Sequence, residues 1–377
     1  MFLSSLSLFL LVSAASASLD DLGIPQSNAL VTVKAFDLGS LTAVNGTGLV
    51  ISPVLPGQQT VEFPLFAFLV EHNATQKRIM FDLGMRTDVE NFAPSIAEMF
   101  AAGIYQLDDN KDITEVLQQA GINLTSIDTV IWSHSHFDHT GDMSKFPNTT
   151  KLVIGPGTDT STYPTDPNAV HLESDFAGHN LTELDFTDSK LVFSGLPALD
   201  YFGDGSFYLM DTPGHISGHI SALARVTPTT FVALGGDTFH HVGEARPRPA
   251  FQTNFPCPGH LVEELKTSVS TDYFWSPNSQ IGSFDIESRA QQMLAISDLP
   301  GSVYEFPVTA QVSLEKIATF DADPDVLVVI AHDISHRANL PTYPASLNDW
   351  KANGYKEQTV WNFANKSNPA FLFDVVA

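Results

Sequence analysis

Residues 127–141 read IDTVIWSHSHFDHTG. The first six, 127–132, are apolar and β-branched enough to form a short buried strand. The next few crowd His134, His136, Asp138 and His139 into six positions. Side chains alternate along extended backbone, so His134 and His136 fall on one side. A turn after Phe137 swings Asp138 and His139 towards a neighbouring point. Four ionisable groups behind an apolar strand are costly to bury without a cation between them. Neutral imidazole and carboxylate are suitable zinc ligands. The stretch therefore predicts a buried strand that ends in a loop able to serve two adjacent metal positions.

Working outward, the same pattern recurs. Apolar or alternating runs at 61–70 (VEFPLFAFLV), 78–81 (RIMF), 151–154 (KLVI), 206–210 (SFYLM), 230–234 (TFVAL) and 325–331 (DVLVVIA) read as strands. Residues 113–120 have helical spacing and are closed by Gly121. Several strands stop at polar groups: Asp82, His134, Asp211, Gly235-Gly236-Asp237 and His332. Strands alternating with helices predict α/β layers, with chemistry gathered just past strand ends. The sequence Asp211-Thr212-Pro213-Gly214-His215 adds His215, Gly235-Gly236-Asp237 adds Asp237, and Ala331-His332-Asp333 adds His332. With the first loop these make five histidines and two aspartates, the set wanted by two metals sharing one bridging carboxylate.

Composition narrows the function classes. The 377 residues carry 18 Lys and Arg against 43 Asp and Glu, a net charge of −25. That excludes a nucleic-acid binder, which needs a basic footprint, and disfavours docking on anionic lipid. The single cysteine, Cys257, rules out an intrachain disulfide and multi-cysteine zinc or iron–sulfur sites. It sits in a Pro-Cys-Pro context with no activating base in view, and no G-x-S-x-G nucleophile elbow is present. Residues 1–12 (MFLSSLSLFLLV) are apolar but too short to span a bilayer. Small residues follow, with Ala15-Ser16-Ala17 fitting a cleavage site, so residues 1–17 read as a signal peptide. N-x-Ser/Thr sequons at Asn45, Asn73, Asn123, Asn148, Asn180 and Asn365 agree with a secreted, extracellular glycoprotein. Residues 18–377 read as a single domain, with a Pro- and aromatic-rich cap insertion around 243–285.

The order HxHxDH, TPGH, GGD strand end and late AHD resembles the metallo-β-lactamase-fold hydrolases, from Asp82 to His332. The resemblance implies a four-layer αββα sandwich. It implies two zinc ions per chain, with other divalent metals able to substitute: one on His134, His136 and His215, a second on Asp138, His139 and His332, with Asp237 bridging. Asp82 matches the family's aspartate that orients a ligating histidine. The best-known zinc β-lactamases place a cysteine in the second site, whereas Cys257 matches no ligand position here. The Asp- and His-rich set looks closer to quorum-quenching lactonases, and also like glyoxalase II-type thioesterases. Lactonases of that branch typically carry a tyrosine three residues after the bridging aspartate. Here that position is His240, followed by His241, and an imidazole can donate the same hydrogen bond.

The resulting expectation is a dinuclear-zinc hydrolase that opens a lactone or ester. A metal-bridging hydroxide would attack the carbonyl, His240 would aid the oxyanion, and Asp138 or Asp237 would relay the proton. The substrate is expected to be a small, neutral, partly apolar molecule, with no nucleic-acid or membrane partner. Thioester or lactam hydrolysis on the same site is the competing enzymatic reading. Single-iron oxygen chemistry is set against the complete second ligand set. A secreted, metal-stabilised glycoprotein is the non-enzymatic alternative, although structural zinc sites are usually closed and four-coordinate.

Overall fold

The computed structural model describes residues 19–268 and 291–375. The expected signal peptide, and residues 269–285 of the expected insertion, lie outside these described residues. Two large sheets dominate. The first has seven strands in the order Leu181–Glu183, Lys151–Ile154, Thr129–Ile131, Arg78–Phe81, Val61–His72, Val31–Ala43 and Tyr105–Asp108. The second has six: Leu191–Phe193, Leu196–Asp200, Phe207–Asp211, Ile220–Arg225, Phe231–Leu234 and Val326–Val329.

The central strands of both sheets are buried on both faces, and their alternation shows it. In Val61–His72, Phe66, Phe68 and Val70 enter one apolar cluster, while Leu65, Ala67 and Leu69 enter the other. Phe207 and Leu209 part in the same way from Tyr208 and Met210, and Val232 and Leu234 from Phe231 and Ala233. The cluster holding Phe66, Phe207, Val232 and Val329 takes residues from both sheets and fills the space between them. The other holds Ile96, Ile113 and Leu117 from helices over the first sheet, and Leu314, Ile317 and Phe320 from the helix Pro307–Ala322 over the second. This is the αββα arrangement of the metallo-β-lactamase fold. Strands covered on both sides read as continuous apolar runs, because neither set of side chains meets water.

Strand direction positions the site. Arg78–Phe81, Thr129–Ile131 and Lys151–Ile154 pair in parallel. So do Phe231–Leu234 and Val326–Val329. Phe207–Asp211 runs with these last two, since it is separated from Phe231–Leu234 by two antiparallel steps. Asp82, the loop at 133–139, the Asp211–His215 turn, Asp237 and His332 therefore all emerge at one edge of the sandwich.

The structure corrects some element boundaries and adds strands that the sequence reading missed, among them Leu196–Asp200 and Ile220–Arg225 of the second sheet. The run at 61–70 extends to His72, the strand at 127–132 is Thr129–Ile131, and that at 325–331 is Val326–Val329. The helix at 113–120 is Ile113–Gln119, started by the Asp112 carboxylate accepting from the Thr114 N–H. The longest strand, Val31–Ala43, went unrecognised. The described part of the insertion, 243–268, holds the helices Pro249–Asn254 and Gly259–Leu265. Their Phe251 and Leu265 are buried in the main core, and the segment is tied to the helix Pro307–Ala322 by the buried Arg246–Asp321 pair (2.7 Å). Among the described residues, no helix is long and apolar enough to cross a membrane.

Candidate metal centre

The loop after Thr129–Ile131 is organised by Asp82. Its Oδ1 accepts from the Ser133 N–H (2.6 Å) and its Oδ2 from the Ser133 hydroxyl (2.8 Å). Ser133 Oγ has thus spent its proton, so its contact with His134 Nδ1 (3.0 Å) places the ring proton on Nδ1. His134 Nε2 is left bare, buried and without a hydrogen-bond partner. His139 Nδ1 donates to Asp82 Oδ2 (2.9 Å) and His332 Nδ1 donates to the Pro64 carbonyl (2.9 Å), so in the neutral rings Nε2 carries the lone pair. A single helical turn, Phe137–Thr140, brings Asp138 and His139 round to face the others.

The seven sequence-predicted residues converge. One donor atom from each of His134, His136, His215 and Asp237 forms a group whose members all lie within 4.8 Å of one another; Asp138, His139 and His332 form a second group under the same limit. Asp237 reaches both, at 3.5 Å from His215 and 3.7 Å from His134, and at 3.3 Å from each of His139 and His332. His139 Nε2 stands 3.2 Å from His332 Nε2. Two lone pairs so close repel unless a proton or a cation lies between them. That contact, the orphaned His134 Nε2 and the partnerless Asp237 Oδ1 are what cation binding would relieve, so the donor set fits the metals the sequence implies.

The electrostatics agree. Burial lowers the pKa of His134 and His215 well below the ordinary histidine value, and that of His136 to about 4, keeping these rings neutral and available as ligands. Burial also works to strip the proton from His139, yet Asp237, Asp82 and Asp138 hold its pKa well above the usual value. Burial opposes the charge on Asp237, but His139, His332 and His240 keep its carboxyl well below the usual range. A cation held between these groups would offset the same negative charge of Asp237, Asp82 and Asp138 that favours a proton on His139.

His240 belongs to the site and His241 does not. His240 Nε2 lies 3.2 Å from Asp237 Oδ2, and its ring borders a cavity of about 240 Å³. His241 turns away: its Nε2 bonds to the Ala370 carbonyl (2.7 Å) and its Nδ1 accepts from the Gly243 N–H (2.9 Å). Leu41, Val50, Phe63, Tyr105, Phe137 and Val303 wall the cavity above His136, Asp138, His215, Asp237 and His332. No Lys or Arg lines it among the described residues. No residue of 243–268 lines it either, so the described part of the expected cap buttresses the core.

Two contributors went unread in the sequence. His219 Nε2 accepts from the Asp237 N–H (2.9 Å), while its Nδ1 donates to the Thr212 carbonyl (2.8 Å). It thereby ties the loop bearing His215 to the loop bearing Asp237. Its signal was its place four residues after His215. Tyr304, whose hydroxyl lies 2.6 Å from His240 Nδ1, carried no local signal.

The description "Metallo-beta-lactamase superfamily" belongs to the family whose model matches residues 61–281. The chain belongs to this superfamily. It is similar along most of its length to two relatives. The metallo-hydrolase mfmC of Annulohypoxylon moriforme is 36% identical, over 93% of this chain and 90% of that one. The gamma-lactamase FDB1 of Fusarium pseudograminearum is 32% identical, over 92% and 84%. The chain also matches the cytochrome P450 monooxygenase mpaDE of Penicillium roqueforti at 37% identity, but spans only 38% of its length. Among solved structures, that of a Bacillus thuringiensis AiiA mutant with N-decanoyl-L-homoserine bound superimposes over 85% of this chain and 100% of that one, with a TM-score of 0.54 and 15% identity. At that identity the likeness is one of fold.

Proposed function

We propose that the protein is a secreted dinuclear-zinc hydrolase that opens a small, neutral, cyclic ester, with the cyclic amide as the second reading. The observation that carries this is the convergence of seven donor atoms in two adjoining groups beneath a largely apolar cavity. The cyclic amide is favoured by one specific finding, the name gamma-lactamase on a relative similar across most of both chains. His134, His136 and His215 would hold one zinc, Asp138, His139 and His332 the other, and Asp237 both. Zinc bound there supplies Lewis acidity and a water acidic enough to react at neutral pH.

The remaining work falls to the chain. Phe63, Tyr105 and Phe137 would cover an apolar ring and keep bulk water from the reacting carbonyl. His240 would donate a hydrogen bond from Nε2 to the acyl oxygen. Asp138 is 11% exposed at its side chain against 3% for Asp237, and is the better placed to carry a proton to the departing oxygen or nitrogen. The absence of lining cations among the described residues disfavours substrates that bring their own carboxylate or phosphate. Secretion is supported by the apolar N-terminal run and by the sequons. Asn45, Asn73, Asn123, Asn148 and Asn180 are exposed and Asn365 is half-buried. N-terminal sequencing of the exported protein checks it, with a start near residue 18 expected. Residues 18–377 are read as one domain.

Metal analysis paired with hydrolysis of lactone, lactam, ester and thioester panels tests the function. Two metals per chain and turnover of a cyclic ester or amide are expected, with both lost in His136→Ala. Undiminished turnover by a metal-depleted His136→Ala protein would sink the proposal.

A further inference from the structure

We infer that Tyr304 is a positioning residue for this site: its hydroxyl sets the tautomer of His240, so that the Nε2–H of that ring points at the reacting carbonyl. The inference rests on the reading above that His240 faces the substrate. Tyr304 is 3% exposed, and it is absent from the cavity wall that its neighbour Val303 helps to form. It therefore reaches a bound molecule only through the imidazole. Its hydroxyl lies 2.6 Å from His240 Nδ1. Burial, together with the nearby Glu244 and Asp237, holds the phenol in its protonated form, so it has a proton to donate, and Nδ1 receives it. The ring's own proton then sits on Nε2, on the side of the cavity, and the nearby Asp237 Oδ2, 3.2 Å away, favours an N–H there over a lone pair. The opposite tautomer sets the Nε2 lone pair against a carboxylate oxygen and leaves the phenol proton without this acceptor. A buried hydrogen bond left unmade is a penalty that this tautomer alone would carry. The choice of tautomer needs no change in the charge of His240.

The backbone around both residues makes the arrangement rigid. The His240 N–H is held by Glu244 Oε2 (2.9 Å). Val303 N–H donates to the Leu49 carbonyl (3.1 Å), and Glu305 N–H to the carbonyl of His215 (2.6 Å). The short stretch 303–305 thus walls the cavity, fixes a metal-ligand loop and orients the donor ring together. The lactonase-like pattern expects a tyrosine at position 240. Here a tyrosine hydroxyl arrives from sixty-four residues away and acts through the histidine that stands in its place.

The test uses the full metal-loaded chain. Side-chain ¹⁵N spectroscopy of the wild type, with His240 assigned by difference against His240→Gln, should show the proton on Nε2. In Tyr304→Phe that signature should shift towards a mixture of tautomers, with metal content unchanged. The kcat on the best ring substrate should fall about tenfold, less than the hundredfold or more that follows loss of a whole oxyanion donor, with KM little changed. In the His240→Gln background, Tyr304→Phe should cost less than about twofold, since there is no ring left to orient. A wild-type ring protonated on Nδ1, loss of metal in Tyr304→Phe, or the same penalty in both backgrounds would overturn the inference. The spectroscopic arm needs no turnover, so a chain that hydrolyses nothing defeats the proposed function and leaves the tautomer assignment to stand or fall separately.

Discussion

Asp82 accepts from three donors at once: the Ser133 N–H, the Ser133 hydroxyl and His139 Nδ1. It does so from a left-handed backbone conformation, φ 59°, which aspartate tolerates better than most residues. One carboxylate thereby sets the tautomer of His139 directly and of His134 through Ser133. Asp175 is a buried acid of another kind. Its Oδ2 accepts from the Leu172 N–H (2.8 Å) while Oδ1 has no partner. Burial pushes its carboxyl from 3.8 up to about 6. Because the folded value lies above the unfolded one, keeping this group charged costs stability. The cost is absent below pH 3.8, grows to pH 6 and stays constant above it. Asp175→Asn, whose amide oxygen can still accept from Leu172, should stabilise the protein at pH 7 by roughly 1–3 kcal/mol. Denaturant midpoints of the two proteins at pH 7 and pH 4 check this; a gain undiminished at pH 4 would contradict it.

Among the elements, the turn Asp211–His215 and the helix Pro307–Ala322 are in backbone contact. A Cβ on Gly214 (φ 129°) would lie 2.1 Å from the Ala310 nitrogen and 2.4 Å from its Cα. Phe306 N–H donates to the Gly214 carbonyl (2.9 Å). Gly214→Ala must push the turn off the helix and carry His215 with it. A loss of about 2–4 kcal/mol is expected, with metal content reduced, read by chemical denaturation and elemental analysis. At this scale the sequence was most legible where strands are short, apolar and closed by a polar residue, and each of the seven donor residues sits at such an end. Val31–Ala43 escaped because its register breaks. Val31, Val33 and Ala35 face the space between the sheets, and Phe36 and Leu38 the other side. A bulge between Asp37 and Ser40 then flips the parity, so Leu41 and Ala43 join Phe36 rather than Val31. A period-two reading cannot survive such a slip. His219 and Tyr304 escaped for a different reason: each acts through a partner from another loop, and only the folded chain brings those partners together.

For the molecule as a whole, the donors come from both sheets. Asp82 and the 133–139 loop belong to the first; His215, Asp237 and His332 to the second. Cations held there would clamp the two halves at one edge, above the shared apolar layer. Removing them with a chelator should lower the melting temperature by several degrees or more, with the size set by metal concentration over Kd. Amide exchange should rise first at the strand-end loops of both sheets, while the Phe66–Phe207 layer stays protected. A melting temperature indifferent to chelation would mean that the clamp carries no load.

His332 follows the last strand of the second sheet, and its place in the chain has a consequence for biosynthesis. A ribosome making this polypeptide reaches His332 only after it has made every other residue of the two donor groups. Until then, the growing chain offers an incomplete donor set. The two donor groups are thus completed only after both sheets have the strands they need to close on one another.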